Sequence, residues 1–124
     1  MELNVISGEI VDSAIMVHTA LGPGLLESAY LACLRYELKS RGLRVRSQVP
    51  LPVVYREVRL KVGYRIDLVV EGLVVVELKA VSKLHPIHEA QLLSYLKLSG
   101  RKLGLLMNFH EKSMKNGIRR MING

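Results

Sequence analysis

Two carboxylates and one amine interrupt strongly apolar stretches in the middle of the chain. Asp67 lies within the stretch 64–70, and Glu77 and Lys79 lie at the end of the stretch 73–79. Carboxylate oxygens are ligands that hard divalent cations prefer, and an amine can oppose negative charge that grows on a phosphate. These side chains could therefore perform metal-assisted hydrolysis of a phosphodiester bond. The alternative is an exposed strand end on which Glu77 and Lys79 are paired surface charges.

Two β-strands joined at Glu71-Gly72 are predicted to position these side chains. Successive side chains of a strand point to opposite faces of the sheet. A simple two-residue loop would pair Val70 with Leu73, and that register would send Asp67 and Glu77 to opposite faces. A common site therefore requires a three-residue connection, a bulge or a bend at Asp67.

The first half of the chain predicts two helices followed by β-structure. Apolar residues at helical spacing indicate one helix over about 7–20 and a second that reaches about Ser40, after a break at Gly22-Pro23-Gly24. Residues 44–62 are rich in β-formers but contain Pro50 and Pro52, which is typical of a bent outer strand. The Asp67 and Glu77 strands follow and are expected to lie centrally.

The second half predicts one more helix and one more buried strand. Pro86 is expected in the first turn of a helix that continues to about Leu98, and residues 103–109 form a strand pattern. Residues 117–122 are ambiguous between a strand and a helical turn. We find no repeat or linker, so the sequence predicts a single α/β domain over residues 1–124, with a mixed central β-sheet flanked by helices.

Composition favours a compact domain that does not enter a membrane. The chain has 124 residues, of which 49% are hydrophobic, and Cys33 is its single cysteine. No apolar run approaches the roughly 18 residues of a membrane span, and the N-terminus has no signal-peptide pattern. We therefore expect a cytoplasmic protein without a membrane partner.

The positive charge is concentrated in the last third of the chain. The net charge is +7, and residues 79–124 contain nine basic residues but two acidic ones. A polyanion such as nucleic acid is the natural partner, although the same residues could form a solvated face. The candidates for phosphate contacts are Arg101, Lys102, Lys112, Lys115, Arg119 and Arg120.

Polar residues on two predicted helices could complete a site. Glu27 precedes apolar residues at helical spacing, which puts its carboxylate beside a buried face, where an unpaired charge is costly. If Gly24 is the N-cap, however, Glu27 is the third helical residue and could simply cap the helix or favour its dipole. On the third helix, His88, Gln91 and Tyr95 form a polar stripe. That stripe alone slightly favours exposure to water.

These residues together resemble a known family. The segment Gly24-Leu25-Leu26-Glu27-Ser28-Ala29-Tyr30 is similar to the motif of the GxxExxY proteins, which look like PD-(D/E)xK nucleases. The similarity continues through Asp67 and Glu77-Leu78-Lys79, although the proline before Asp67 is missing. Gln91-Leu92-Leu93-Ser94-Tyr95 also resembles the QxxxY motif of the RecB-like branch. The resemblance implies a restriction-endonuclease-like core and a nuclease that uses Mg²⁺, for which Mn²⁺ could substitute.

The resemblance and the chemistry suggest roles for individual residues. Asp67, Glu77 and, as the resemblance implies, the backbone carbonyl of Leu78 would bind the metal, with Glu27 reaching it through water. Lys79 would orient the attacking water, and Gln91 would position Lys79 or the scissile phosphate. The catalytic set is therefore Glu27, Asp67, Glu77, Lys79 and Gln91, and the residues expected to position substrate are Tyr30, Tyr95 and Arg65.

The sequence is also compatible with two other functions. The fold could be a nucleic-acid-binding module without catalysis, in which case substitution of Glu77 or Lys79 would leave its activity unchanged. It could also be a junction-resolving homodimer, whose signature is selective cleavage of branched DNA. DNA is the favoured substrate in the catalytic interpretation.

Overall fold

The computed structural model describes residues 1–124 as three helices, seven strands and a short 3₁₀ helix over Met114–Gly117. The helices are α1 (Leu3–Leu21), α2 (Glu27–Ser40) and α3 (Pro86–Ser99). The strands are β1 (Val45–Pro50), β2 (Val53–Tyr55), β3 (Val58–Leu60), β4 (Arg65–Val70), β5 (Val74–Lys79), β6 (Leu103–Asn108) and β7 (Ile118–Ile122). None of the helices is both long and apolar enough to cross a membrane.

Five strands form the central sheet in the order β1-β4-β5-β6-β7. Strands β5 and β6 are parallel, and α3 makes the crossover between them, whereas the other neighbouring pairs are antiparallel. The prediction of a mixed sheet flanked by helices is confirmed. Because β4 and β5 are inner strands, Asp67 and Glu77 lie near the middle of the sheet.

Helices cover both faces of the sheet and create two layers of core. Helices α1 and α2 pack on one face, where Ile10 and Leu34 contribute to the same apolar cluster as Val76 of β5. Helix α3 packs on the other face, where Leu92 joins the cluster that contains Val75. The alternation of Val75 and Val76 between two buried clusters explains why β5 is apolar on both sides.

Two predicted elements differ from the observed ones. Residues 44–62 do not form one bent outer strand, because only β1 joins the main sheet while β2 and β3 pair with each other as a separate hairpin. Helix α1 begins at Leu3 rather than near Ser7. The ambiguous segment 117–122 is mainly a strand, and β7 pairs with β6 at the edge of the sheet.

Candidate active site

Three residues connect the two central strands, as a common site requires. Val70 pairs with Val74, so residues 71–73 form the connection. Glu71 has a left-handed backbone conformation with a φ of 55°, although it is not glycine. Its carboxylate accepts a 2.6 Å hydrogen bond from the backbone N–H of Arg44, which helps to hold this conformation. The predicted irregularity between the strands is therefore confirmed.

Beyond this connection, side chains replace part of the β4–β5 backbone ladder. The last ladder pair is Leu68 with Val76, and this register brings Asp67 opposite Glu77. The backbone N–H of Asp67 donates to Glu77 Oε2 at 2.7 Å, and the N–H of Leu78 donates to Asp67 Oδ2 at 2.8 Å. One oxygen of each carboxylate thus accepts a hydrogen bond from the opposite strand, and the other oxygen is not used in these bonds. The two carboxylates are therefore neighbours, and the charge of Lys79 lowers the pKa of both.

A change in strand rotation at Asp67 accompanies this opening of the ladder. Ile66 packs in the same cluster as Val69 on the α3 side, whereas regular alternation would put it on the side of Leu68. On the neighbouring strand β1, Gln48 lies at the same level and has a φ of 52°. The β1–β4 pairing lapses at Gln48 and Asp67 and resumes in the same register at Val49 and Ile66, so the two strands deviate together and the end of β4 turns.

Burial and mutual repulsion make this pair of carboxylates electrostatically unfavourable. Desolvation is the main cause that raises the pKa of Glu77 to about 8, and the charge of Asp67 raises it further. Desolvation also raises the pKa of Asp67, although the hydrogen bond from the Leu78 N–H and the charge of Lys79 oppose this. The buried carboxylate of Glu77 and the half-buried carboxylate of Asp67 have one amine between them, which leaves the pair short of positive charge. A divalent cation would supply that charge.

Glu27 extends this negative cluster from the start of α2. It is the first residue of the helix and Leu26 is the N-cap, so the predicted N-cap at Gly24 and the third-residue position of Glu27 were wrong. Desolvation and the charge of Asp67 raise the pKa of Glu27, while Lys79 lowers it. No three His, Cys, Asp or Glu side chains are arranged to hold a metal by themselves. The expected link of Glu27 to a metal through water stays a prediction.

The polar stripe of α3, for which the sequence slightly favours exposure to water, lines a cavity together with Lys79. The cavity measures about 530 Å³, and His88, Gln91 and Tyr95 lie on its walls beside Lys79. Tyr64 lines the same space, with its ring centroid 6.1 Å from that of Tyr95. The structure thus brings the amine of β5 and the helix stripe to one concave surface.

Two of these cavity residues are electrostatically coupled to the carboxylates and the amine. Burial raises the pKa of the Tyr95 hydroxyl, and the charge of Glu77 raises it further, so the hydroxyl keeps its proton. Burial and the positive charge of Lys79 lower the pKa of His88. The Nδ1 of His88 accepts the backbone N–H of His85 at 3.1 Å, so the neutral ring carries its proton on Nε2. Both residues can donate hydrogen bonds into the cavity.

A comparison with known protein families identifies the family to which this chain belongs. A model of the PD-(D/E)XK nuclease superfamily matches residues 4–121, which is nearly the whole chain. The chain belongs to the PD-(D/E)XK nuclease superfamily. No curated protein and no solved structure matches it.

In this PD-(D/E)XK protein, Tyr30 is not a surface residue, which corrects its expected contact with substrate. Its side chain is fully buried and stacks on Phe109, with ring centroids 4.6 Å apart. Its hydroxyl donates to the carbonyl of Gly22 and accepts the backbone N–H of Leu25 at 3.0 Å. Tyr30 therefore fixes the loop that precedes Glu27. Any influence on catalysis would act through the position of that loop.

Asn108 has a structural role that the sequence did not reveal. It is fully buried at the end of β6, where its Nδ2 donates to the Val81 carbonyl at 2.9 Å. Its Oδ1 accepts the backbone N–H groups of Val81 at 3.1 Å and of His110 at 3.3 Å. Asn108 thus holds the segment that follows Lys79. The available signal was a single amide at the end of an otherwise apolar strand.

Two of the predicted phosphate contacts of this PD-(D/E)XK chain lie at the end of β5 opposite Lys79. The Nε of Arg101 donates to the Gly72 carbonyl at 3.0 Å, beside the connection between β4 and β5, and Lys102 is the next residue. The six residues of β5 span roughly 17 Å between that connection and Lys79. Arg101 and Lys102 are therefore distant from Lys79, and contact with a phosphate of a bound nucleic acid away from Lys79 stays a prediction for both.

The other predicted basic residues differ in their availability. Arg120 donates to Ser7 Oγ and Asn4 Oδ1, and Arg119 donates to the carbonyls of Asn116 and Ile118. These contacts within the protein occupy donors that a phosphate would need. Lys112 and Lys115 are exposed and follow β6, whose C-terminal end lies beside Lys79. Arg65 is exposed at the first position of β4, two residues before Asp67.

Proposed function

We propose that this protein is a Mg²⁺-dependent nuclease, with Mn²⁺ as a substitute, that hydrolyses phosphodiester bonds of DNA. The observation that carries the proposal is a pair of hydrogen bonds across β4 and β5, in which each carboxylate accepts a backbone N–H of the opposite strand: Glu77 accepts that of Asp67, and Asp67 accepts that of Leu78. These bonds hold the half-buried carboxylate of Asp67 and the buried carboxylate of Glu77 close together, near Lys79. We further propose that the protein belongs with the GxxExxY proteins and is related to the RecB-like branch, on the motif resemblance described above.

The donor set fits a magnesium ion. Asp67 Oδ1 and Glu77 Oε1 are the oxygens not used in these hydrogen bonds, and we assign both as ligands. The N–H of Leu78 points towards β4, and the carbonyl of a strand residue points to the same side as its N–H in an antiparallel pair. That carbonyl would be the third protein ligand. Magnesium keeps several waters, so three protein oxygens suffice and Glu27 would act through one of these waters.

The bound metal would neutralise charge on the phosphate and activate the attacking water. Lys79 would orient that water and stabilise the negative charge that develops on the phosphoryl oxygens. Gln91 shares the cavity with Lys79, so its amide would position the amine or the phosphate. The Tyr95 hydroxyl, which keeps its proton, would donate to a phosphate oxygen at the cavity entrance. Arg65 would contact the substrate beside the start of β4.

The test is cleavage of a panel of linear, circular, branched and single-stranded nucleic acids with Mg²⁺, with Mn²⁺ and with chelator. Lys79→Ala is compared with Lys39→Ala, which removes an exposed lysine near the C-terminus of α2. We expect metal-dependent cleavage that Lys79→Ala abolishes and Lys39→Ala preserves. Cleavage that survives chelator or Lys79→Ala would contradict the mechanism. Binding without cleavage across the panel would instead favour the non-catalytic module.

A further inference from the structure

The β2–β3 hairpin presents two chemically different faces. Its register pairs Val53 with Leu60, Val54 with Arg59, and Tyr55 with Val58. Because cross-strand partners share a face, the first and third pairs form an apolar face and the second pair lies on the opposite face. Lys61, two residues after Arg59, continues that opposite face in the direction of β4.

Each face of the hairpin borders a different cavity. Val53 lies on the wall of the 530 Å³ cavity that Lys79 and the polar stripe of α3 line, here called the active-site cavity. Arg59 and Lys61 line a second cavity of about 510 Å³, here called the basic groove, whose other lining residues are Pro50, Leu51, Pro52, Gly63, Tyr64 and Arg65. Tyr64 lines both cavities. The basic groove is therefore adjacent to the active site and separated from it by the hairpin and the Tyr64 ring.

The positive charge of the basic groove favours a polyanion as its ligand. Three of its eight lining residues are Arg59, Lys61 and Arg65, and no lining residue is acidic. A second copy of the same surface would be repelled, so self-association through the groove is disfavoured. A chain of phosphates complements three cations and can extend from one cavity to the next.

The exposed Tyr64 ring distinguishes a single strand from a duplex. The tyrosine is 45% exposed at the junction of the two cavities. An aromatic ring of this kind can stack on a base of a single strand, whereas the bases of a duplex are covered by their neighbours. A sequence-independent site for a single strand typically combines such a ring with cations that follow the backbone.

We propose that the basic groove binds a single-stranded segment of the substrate that continues from the active-site cavity. Arg59, Lys61 and Arg65 contact successive phosphates, and Tyr64 stacks on the base at the junction. This inference deepens the proposed nuclease function, and its account of one continuous substrate strand rests on that function. The preferred substrate therefore has a single-stranded portion beside the bond that is cleaved.

The test measures binding of a fluorescent single strand of roughly 15 nucleotides, in chelator so that hydrolysis does not occur. Arg59→Ala with Lys61→Ala is compared with the control pair Arg35→Ala with Lys39→Ala, which removes two exposed cations from α2. Each phosphate contact of a single strand contributes about 0.7 to the slope of log affinity against log salt. The groove variant should reduce the slope by about 1.4, and the control should leave it unchanged.

A second variant tests the choice of a single strand. Tyr64→Ala should weaken binding of the single strand about tenfold, which is within the effect of losing one stacked base, and should leave binding of a blunt duplex unchanged. Equal unfolding midpoints in urea establish that the variants are folded. Equal slopes for the groove and control variants, or equal losses for single strand and duplex, would overturn the inference.

The inference and the proposed function can fail separately. Metal-dependent cleavage combined with groove variants that bind like the control pair would overturn the groove and retain the nuclease. Absence of cleavage across the whole panel, combined with the expected change in salt slope, would reject the nuclease. That second result would support the groove as a single-strand site of a binding protein.

Discussion

Two clusters in this molecule each combine three carboxylates with one cationic side chain, but they differ in burial and geometry. At the C-terminus of α2, Arg41 forms ion pairs with Glu9 at 2.9 Å, Asp12 at 2.8 Å and Glu37 at 3.0 Å. The hydrogen bonds with these carboxylates raise the pKa of Arg41. The guanidinium fork satisfies three acids at once and ties α1 to α2.

The active-site cluster has the same number of acids but less compensation. Lys79 lowers the pKa of Glu27, Asp67 and Glu77, yet burial keeps the pKa of each above its ordinary value. The Arg41 cluster is complete without a ligand, whereas the active-site cluster gains if a cation is added. The residue types alone do not distinguish the two clusters. The difference arises from the burial of the carboxylates and from which hydrogen-bond donors face them.

The largest expected difference between the clusters is catalytic. Glu77→Gln removes a proposed metal ligand and should lower the cleavage rate by about 10²–10³-fold or more, the scale of losing one group that stabilises the transition state. Arg41→Ala should leave the rate of the folded protein unchanged. Mg²⁺ should also raise the thermal midpoint of the wild type and of Arg41→Ala, but not that of Glu77→Gln. An equal response of all three proteins to Mg²⁺ would place the metal elsewhere.

The second largest expected difference between the two clusters is in how the free energy of unfolding depends on pH. The folded state retains the Glu77 proton up to a pKa of about 8, whereas the ordinary value is 4.5. The metal-free protein is therefore fully stabilised by this group below about pH 4.5 and loses that stability as the pH rises through 8. At roughly 1.4 kcal/mol per pKa unit, the loss amounts to a few kcal/mol.

Urea unfolding in chelator at pH 5 and pH 9 measures this effect. Glu77→Gln should have a flatter profile than the wild type and should be the more stable protein at pH 9. Asp12→Asn, at an exposed acid of the Arg41 cluster, is the matched control and should preserve the wild-type slope. A profile of Glu77→Gln that parallels the wild type would mean that the buried carboxyl titrates normally.

The Arg41 cluster should affect stability through ion pairs that salt weakens. Arg41→Ala should lower the free energy of unfolding by about 1–2 kcal/mol, since three partly exposed pairs contribute a few tenths to 1 kcal/mol each. The loss should shrink in high salt because screening weakens the pairs in the wild type. Arg41→Lys keeps the charge but not the fork, and should recover part of the loss. Full recovery would show that charge alone, rather than geometry, holds the helices.

Patterns that depend on local chemistry predicted the fold well. Pro86 was expected in the first turn of α3, where a missing N–H is tolerated, and it is the first residue of the helix. A two-residue loop would have put Asp67 and Glu77 on opposite faces of the sheet. Because side-chain alternation is strict, the sequence predicted an irregular connection between the two strands. Both arguments succeed since they use constraints that a few neighbouring residues impose.

Features that depend on long-range placement were not predictable in the same way. Pro50 and Pro52 indicated an interruption but could not show that the following strands leave the main sheet as a hairpin. Helical spacing predicted Tyr30 on the buried side of α2, but it could not show that the hydroxyl would bond to Gly22 and Leu25 in the loop before Glu27. Charge counted along the chain could not show that Arg101 lies near Gly72, at the opposite end of β5 from Lys79.

The smallest expected effect tests whether neutral hydrogen bonds, rather than ion pairs, hold the active-site end. Tyr30→Phe keeps the stacking on Phe109 but removes the hydroxyl that joins the Gly22 carbonyl to the Leu25 N–H. It should lower the free energy of unfolding by about 1 kcal/mol, and cleavage should fall several-fold because the start of α2 positions Glu27. Unlike the loss in Arg41→Ala, this loss should be independent of salt. A loss that shrinks with salt would mean that the Glu27 loop is held by charge, and the contrast between the two clusters would then fail.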